Sequence, residues 1–124
     1  MSEEIFTSKA PKPIGPYSQA IISGNLIFCS GQIGINPDTG ELGEDIEAQT
    51  KQVLKNLKEI LTEAHSSLEK VIKTTIFLKN IEDFKKVNEI YGEFFSSHKP
   101  ARSTVEVSNL PKGALVEIEI IAER

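Results

Sequence analysis

The 124-residue chain has no tryptophan, one methionine, one cysteine and two histidines. A lone Cys29 rules out an internal disulfide and fits a reducing compartment. His65 and His98 stand apart, with no second cysteine and no His-x-x-x-His spacing beside them. No metal-ligand set is present, and no metal or other cofactor is expected. No apolar run approaches the length of a membrane span. The opening Met1-Ser2-Glu3-Glu4 is acidic, whereas a secretory leader is basic and then apolar. A formal charge of −4 without a basic tail makes nucleic acid an unexpected partner. These absences lead to the expectation of a cytoplasmic, cofactor-free protein with no membrane partner.

Arginine is scarce too. Of fourteen basic residues only Arg102 and the terminal Arg124 are arginines, the rest lysines. Lysine supplies general surface charge, whereas a guanidinium is a planar fork that grips a carboxylate or phosphate through two parallel hydrogen bonds. Arg102, inside Pro100-Ala101-Arg102-Ser103-Thr104-Val105-Glu106-Val107, is therefore a candidate anion anchor.

The length suits one domain, residues 1–124, with a single core. A short strand is expected around Ile5-Phe6. The Ala10–Pro16 segment holds three prolines and Gly15, which excludes helix and predicts a stiff extended loop leading to Tyr17. Gly24-Asn25 is a two-residue hairpin turn between strands at Ser18–Ser23 and Leu26–Ser30. That register sets Ser23 opposite Leu26, Gln19 opposite Ser30 and Tyr17 opposite Gln32, with Tyr17 and Ser30 diagonal neighbours. A loop from Gly31 to Glu44 follows, with a turn at Asn36-Pro37-Asp38-Thr39-Gly40.

Ile46, Gln49, Val53, Leu57, Ile60 and Leu61 recur at helical spacing, with Asp45 placed to cap. Lys51, Lys55, Lys58 and Glu59 make the solvated face. Val71–Leu78 reads as a strand. A second helix is expected from about Glu82 to Ser97, with Phe84, Val87, Tyr91, Phe94 and Phe95 spaced for burial and Asn88 on its polar surface. Strands at Ser103–Val107 and Leu115–Ala122 close the chain. The order is β-β-β-α-β-α-β-β, an α+β fold whose helical crossovers allow parallel pairing.

Alternation along the last two strands assigns faces. Arg102, Thr104 and Glu106 share one parity, Val105 and Val107 the other. Val116, Ile118, Ile120 and Ala122 form an aliphatic face, opposite Leu115, Glu117, Glu119 and Ile121. Two helices cover one face of such a sheet, and the mixed second face needs a partner. A homo-oligomer is expected, with Arg102 and Glu117 on the same uncovered side near a subunit boundary. There Arg102 can hold a substrate carboxylate while Glu117 directs or deprotonates a water, a role typically worth about 10²- to 10⁴-fold. Ser30 and Cys29 have no assignable histidine, so covalent catalysis is not expected. Gly31 and Gly113 are turn residues that can also bring backbone N–H groups near an anion.

Four segments carry a family resemblance: Pro13-Ile14-Gly15-Pro16-Tyr17-Ser18-Gln19-Ala20, Ser30-Gly31-Gln32-Ile33, Pro100-Ala101-Arg102-Ser103 and Leu115-Val116-Glu117-Ile118-Glu119. In order and spacing they resemble the reactive intermediate deaminase family, and within it the RidA (YjgF) subgroup. The resemblance implies a chorismate-mutase-like α+β fold and a homotrimer with sites between subunits. It implies cofactor-free hydrolysis of 2-imino acids, such as 2-iminopropanoate and 2-iminobutanoate, to 2-oxo acids and ammonia. The imines derive from enamines released by pyridoxal-phosphate-dependent dehydratases. By the same resemblance Arg102 binds the substrate carboxylate, Glu117 handles the water, and Tyr17, Ser30, Gly31 and Asn88 line the pocket. Thr104, counted with the substrate-binding residues, stands where many relatives have cysteine: it can donate or accept a hydrogen bond but is not a redox-sensitive thiol. A competing reading keeps the cleft but removes the chemistry, leaving a regulatory or chaperone-like module that binds a small carboxylic acid. Ribonuclease activity fits the charge and the missing histidine pair poorly.

Overall fold

Two short strands open the chain, β1 (Ser2–Ile5) and β2 (Ala20–Ser23), followed by the longer β3 (Leu26–Ile33). The computed structural model describes residues 2–124. Helix α1 (Ile46–Glu63) leads to β4 (Val71–Leu78), and α2 (Phe84–Phe94) leads to β5 (Ala101–Glu106) and β6 (Val116–Glu123). All strands join one sheet in the order β1-β2-β3-β6-β4-β5. Only β4 and β5, connected through α2, run parallel; the other neighbours are antiparallel.

The hairpin register holds where it was expected, with Ser23 opposite Leu26 and Ala20 opposite Cys29. The ladder stops there because the proline-rich segment diverges: Ser30 N–H still donates to the Gln19 carbonyl at 2.9 Å, but Tyr17 does not pair with Gln32. The first strand lies earlier than Ile5-Phe6, and β3 runs on to Ile33 instead of yielding to a loop at Gly31. It continues because it also pairs with β6, through a register shift in which Ser30 and Gly31 oppose the single residue Glu119.

Asp45 caps α1, its carboxylate accepting from Ala48 N–H at 2.8 Å. The whole expected stripe of α1 is buried, and Thr50, Leu54 and Asn56 join it. Asn56 can lie there because its side-chain amide donates to the Ile35 carbonyl at 2.9 Å. Both helices press on the sheet face formed by Ile27, Cys29, Ile76, Leu78, Val116, Ile118 and Ile120. Burial pushes the Cys29 thiol up to about 12, so it behaves as a small apolar core residue. Helix α2 is shorter than its sequence pattern suggests, and a 3₁₀ turn at Ile81–Asp83 precedes it. Phe84 is 36% exposed and does not join the core.

Register overturns one expectation. Thr74, Ile76 and Leu78 of β4 lie beside Arg102, Thr104 and Glu106 of β5, and beside Ile120, Ile118 and Val116 of β6. Neighbours in register share a face, so Arg102 and Thr104 belong to the helix-covered side. Glu117 and Glu119, opposite Phe77 and Thr75, belong to the open side. Arg102 and Glu117 thus lie on opposite faces of the same sheet. Alternation gives parity within a strand; only the pairing of β5 on β4 gives the absolute face.

Candidate active site

The open face holds a cavity of about 570 Å³ at the junction of the proline-rich segment, β3 and β6. Tyr17, Ser30, Gly31, Glu117 and Glu119 line it, with Ile33 and other aliphatic side chains as walls. The bulge at Ser30–Gly31 lets β3 pass close to the Glu117 side chain. A Cβ added to Gly31 would lie 2.8 Å from Glu117 Cδ and 3.0 Å from its Cγ. Glycine is needed here for space, not for an unusual φ.

Glu117 is half-buried, flanked in register by Ile33 and Phe77. Loss of hydration raises its pKa above the ordinary carboxylate value, and the Glu119 carboxylate raises it further. Such a carboxylate is a stronger base than an exposed one and, once protonated, a usable acid. Ser30 reaches the cavity with its hydroxyl proton committed, donating to the Ser18 carbonyl at 2.6 Å. The Tyr17 hydroxyl accepts from Ile14 N–H at 3.3 Å, which leaves its own proton available.

The helix-covered face carries a second constellation at the β5 edge. The Arg102 guanidinium lies 4.9 Å from the Tyr91 ring centroid and 5.4 Å from that of Phe84. Its Nη1 donates to Asn88 Oδ1 at 2.7 Å. Phe84, Asn88 and Tyr91 follow one another at i, i+4 and i+7 along α2, so one stripe of the helix holds the arginine. Tyr91 is fixed in turn by a 2.8 Å hydrogen bond between its hydroxyl and that of Thr74. Burial raises the Tyr91 pKa, opposed by that bond and by the Arg102 charge. The cation is held in place with several guanidinium N–H groups still free. Thr104 shares a groove with Arg102, Phe84 and Ile81, and its buried Oγ1 has no hydrogen-bond partner among the described residues.

The structure therefore gathers Tyr17, Ser30, Gly31 and Glu117 in one place, and Asn88, Arg102 and Thr104 in another. No residue lines both concavities. The family model described as Endoribonuclease L-PSP matches residues 7–124.

The chain belongs to that family.

Its members also go by the names YjgF, RutC and Rid. A RutC family protein of Pyrococcus abyssi is 60% identical over 121 residues, covering 97% of this chain and 95% of its own. The 2-iminobutanoate/2-iminopropanoate deaminase of Escherichia coli is 48% identical over 127 residues, covering 100% of this chain and 99% of its own. The crystal structure of E. coli TdcF with bound serine superposes with a TM-score of 0.95 at 42% identity, covering 98% of each chain. The L-PSP fold, chorismate-mutase-like with one six-stranded sheet and two helices, is the fold of this protein.

Sequence reasoning missed the aromatic holders Phe84 and Tyr91 and the second cavity carboxylate, Glu119. Helical spacing marks Phe84 and Tyr91 for burial without saying what their face meets; Tyr91 is buried as expected, and Phe84 is not. A lone arginine on the following strand was the available clue to their role. Glu119, two residues from Glu117 on an alternating strand, had to share its face.

Proposed function

We propose that the protein hydrolyses small 2-imino acids to 2-oxo acids and ammonia, in clefts where the Glu117 cavity of one subunit meets the Arg102 edge of the next. The observation carrying this reading is the division of the machinery. A carboxylate of raised pKa sits in a cavity whose cations are the lysines Lys12 and Lys112 on its rim, and the guanidinium, held by Asn88 and Tyr91, lies on the other side of the sheet at its edge. Cyclic head-to-tail packing, with a homotrimer as the proposed ring, joins one element to the other in every cleft. The open face offers a surface for such packing, with Phe28 43% and Val105 44% exposed on the same side of the sheet as Glu117 and Glu119.

In that cleft Arg102 holds the substrate carboxylate and so fixes the position of C2. With the imine nitrogen protonated, Glu117 takes a proton from water as the water oxygen bonds to C2 and the C=N electron pair moves to nitrogen, giving a neutral amine. Protonated Glu117 then delivers its proton to the amine. As the C–N bond of the resulting ammonium breaks, ammonia leaves, the C=O forms, and the hydroxyl proton passes through Glu117 to the departing ammonia, which restores the carboxylate. The elevated pKa suits a group that must be base and acid in succession. In this reading Tyr17, whose hydroxyl proton is uncommitted, donates a hydrogen bond to the substrate. The resemblance to the E. coli deaminase supports this chemistry, and the serine in TdcF is a ligand with the same kind of α-carboxylate. Neither histidine stands in either half: His98 bonds the Val71 carbonyl and His65 follows the end of α1. The geometry therefore favours imine hydrolysis over RNA cleavage.

The test is complementation. Arg102→Ala and Glu117→Gln should each be inactive in accelerating imine loss from a serine or threonine dehydratase reaction. Subunits of the two variants, unfolded together and refolded in equal amounts, should regain about a quarter of wild-type activity, since in a ring about one cleft in four pairs two intact residues. No recovery would overturn the shared cleft, and full activity of either variant would overturn its assigned role. Binding of 2-oxobutanoate without turnover by wild type would instead favour a carboxylate-binding module.

A further inference from the structure

Gln19 lies at the end of the hairpin next to Tyr17, and its side chain is 1% exposed. Its Oε1 accepts from Thr7 N–H at 2.7 Å. Its Nε2 donates to the carbonyls of Thr7 at 3.0 Å and Pro11 at 2.9 Å, with the Ala10 carbonyl at 3.4 Å. One amide thus binds both ends of the Thr7–Pro11 segment, on which Ala10 is itself buried. Beyond Pro11 the chain carries Lys12, Ile14 and Tyr17, which form one side of the cavity.

Among the described residues that arm has few other holds, one being the Ser18 hydroxyl, which donates to the Glu4 carboxylate at 2.7 Å. Pro11, Pro13 and Pro16 lack N–H groups, and the tip bonds mainly to itself, through Tyr17 N–H to the Gly15 carbonyl at 3.0 Å and Ile14 N–H to the Tyr17 hydroxyl at 3.3 Å. At its far end Ser30 fixes the Ser18 carbonyl through its hydroxyl, and the Gln19 carbonyl accepts from Ser30 N–H. Tyr17 therefore sits between two tethers, one of which is the Gln19 amide.

We infer that Gln19 is a positioning residue for the site: its side-chain amide locks the Thr7–Pro11 segment and so sets where Tyr17 stands over the Glu117 cavity. This rests on reading that cavity as the substrate site. Gln19 touches no reacting atom. Losing it loosens a wall of the binding cavity while Glu117 and the bulge at Gly31 stay in place. An effect of that kind falls on substrate affinity more than on the chemical step.

The test uses full-length Gln19→Met and Gln19→Leu, which substitute an apolar side chain of similar size and so remove every hydrogen bond of the Gln19 amide. Tryptic nicking after Lys9 reports release of the segment, because Ala10 must leave its burial and the bond at Lys12 is protected by Pro13. Expected are faster nicking, an unchanged overall fold by circular dichroism, KM for the imine raised about tenfold, equivalent to about 1.4 kcal/mol of lost uniform binding, and kcat within about twofold. Unchanged nicking would overturn the lock. Faster nicking with unchanged KM would overturn the link between the lock and the site, whereas the cavity's own role as the substrate site fails only if Glu117→Gln keeps full activity. Failure of both variants to fold, or equal losses in kcat and kcat/KM, would make Gln19 a core residue or part of the chemistry, contrary to the proposal.

Discussion

Gly31→Ala separates the site from the fold, and the structure sets the size of both effects. The added methyl carbon would lie 2.8 Å from Glu117 Cδ and 3.0 Å from Cγ, where ordinary contacts are 3.4–4 Å. The Glu117 carboxyl must retreat by more than about half an ångström, leaving a favoured rotamer at a cost of about 0.5–1.5 kcal/mol. Gly31 has no positive φ, so the substitution also removes freedom from the unfolded chain, a gain of about 0.4–1 kcal/mol. The two nearly cancel, and the denaturation midpoint should hardly move. Activity should not survive as well. Displacing a catalytic group by about 1 Å can cost about 10²-fold, and that loss is expected in kcat/KM for imine hydrolysis.

Gly34→Ala is the control, three residues further along. Its methyl carbon would meet the Cα and carbonyl oxygen of Gln49 at 2.6 Å each, backbone of α1 that cannot swing aside. Here stability should fall by about 3 kcal/mol, an overpacking penalty at the high end of the usual range. Urea denaturation beside semicarbazide trapping of the imine measures both quantities. Activity within about threefold of wild type in Gly31→Ala, or a loss of stability as large as that of Gly34→Ala, would refute the close approach of Gly31 to Glu117 as the cause.

Glu117 favours its proton in the native state, because burial and Glu119 raise its pKa above that of the unfolded chain. Its contribution to stability is greatest below the unfolded pKa and declines as pH rises through the native one. Glu117→Gln should accordingly raise the melting temperature at neutral pH, with the difference shrinking toward the ordinary carboxylate range, and the acidic limb of kcat/KM should lie above that range. Tyr91→Phe leaves the Thr74 hydroxyl, 0% exposed, without its partner at a cost of about 1–3 kcal/mol, yet keeps a ring beside Arg102. Its denaturation midpoint should drop while KM holds, whereas Tyr91→Leu should also raise KM. Thr104→Val removes a buried hydroxyl that has no partner, so unfolding experiments should show it neutral or more stable by up to about 1 kcal/mol.

Where the sequence could be read, the reason was local. The Val71–Leu78 strand matches the observed element at both ends, since β-branched alternation and flanking polar residues need no distant information. Asp45 could be placed as a cap because its partner is three residues away. Gly24-Asn25 set the hairpin register for the same reason. The bulge at Ser30–Gly31 was not legible: it arises from pairing with β6, nearly ninety residues on in the chain, and no turn chemistry announces it. Phe84 looked like core because its spacing on α2 matches that of Val87 and Tyr91. It is instead exposed at the edge, where Arg102 lies against it.

The face of Arg102 changes the argument about assembly. Had Arg102 and Glu117 shared the open face, one subunit could have bound and hydrolysed the substrate, and association would have served only to cover apolar surface. With Thr74 beside Arg102 in register, the guanidinium projects on the side of α2, and the sheet itself separates it from Glu117. Side-chain motion cannot carry a guanidinium through a layer closed by Ile76, Ile118 and Ile120. Yet β5 is the last strand of the sheet, so its Arg102 edge is free to approach a neighbouring molecule. The arginine is held by Tyr91, Phe84 and Asn88 before any substrate arrives, so a partner's cavity would meet an anchor whose conformational entropy is already spent. An edge position and prior fixation are useless to a monomeric enzyme with its base on the other face. They suit the proposed site completed between copies of the chain.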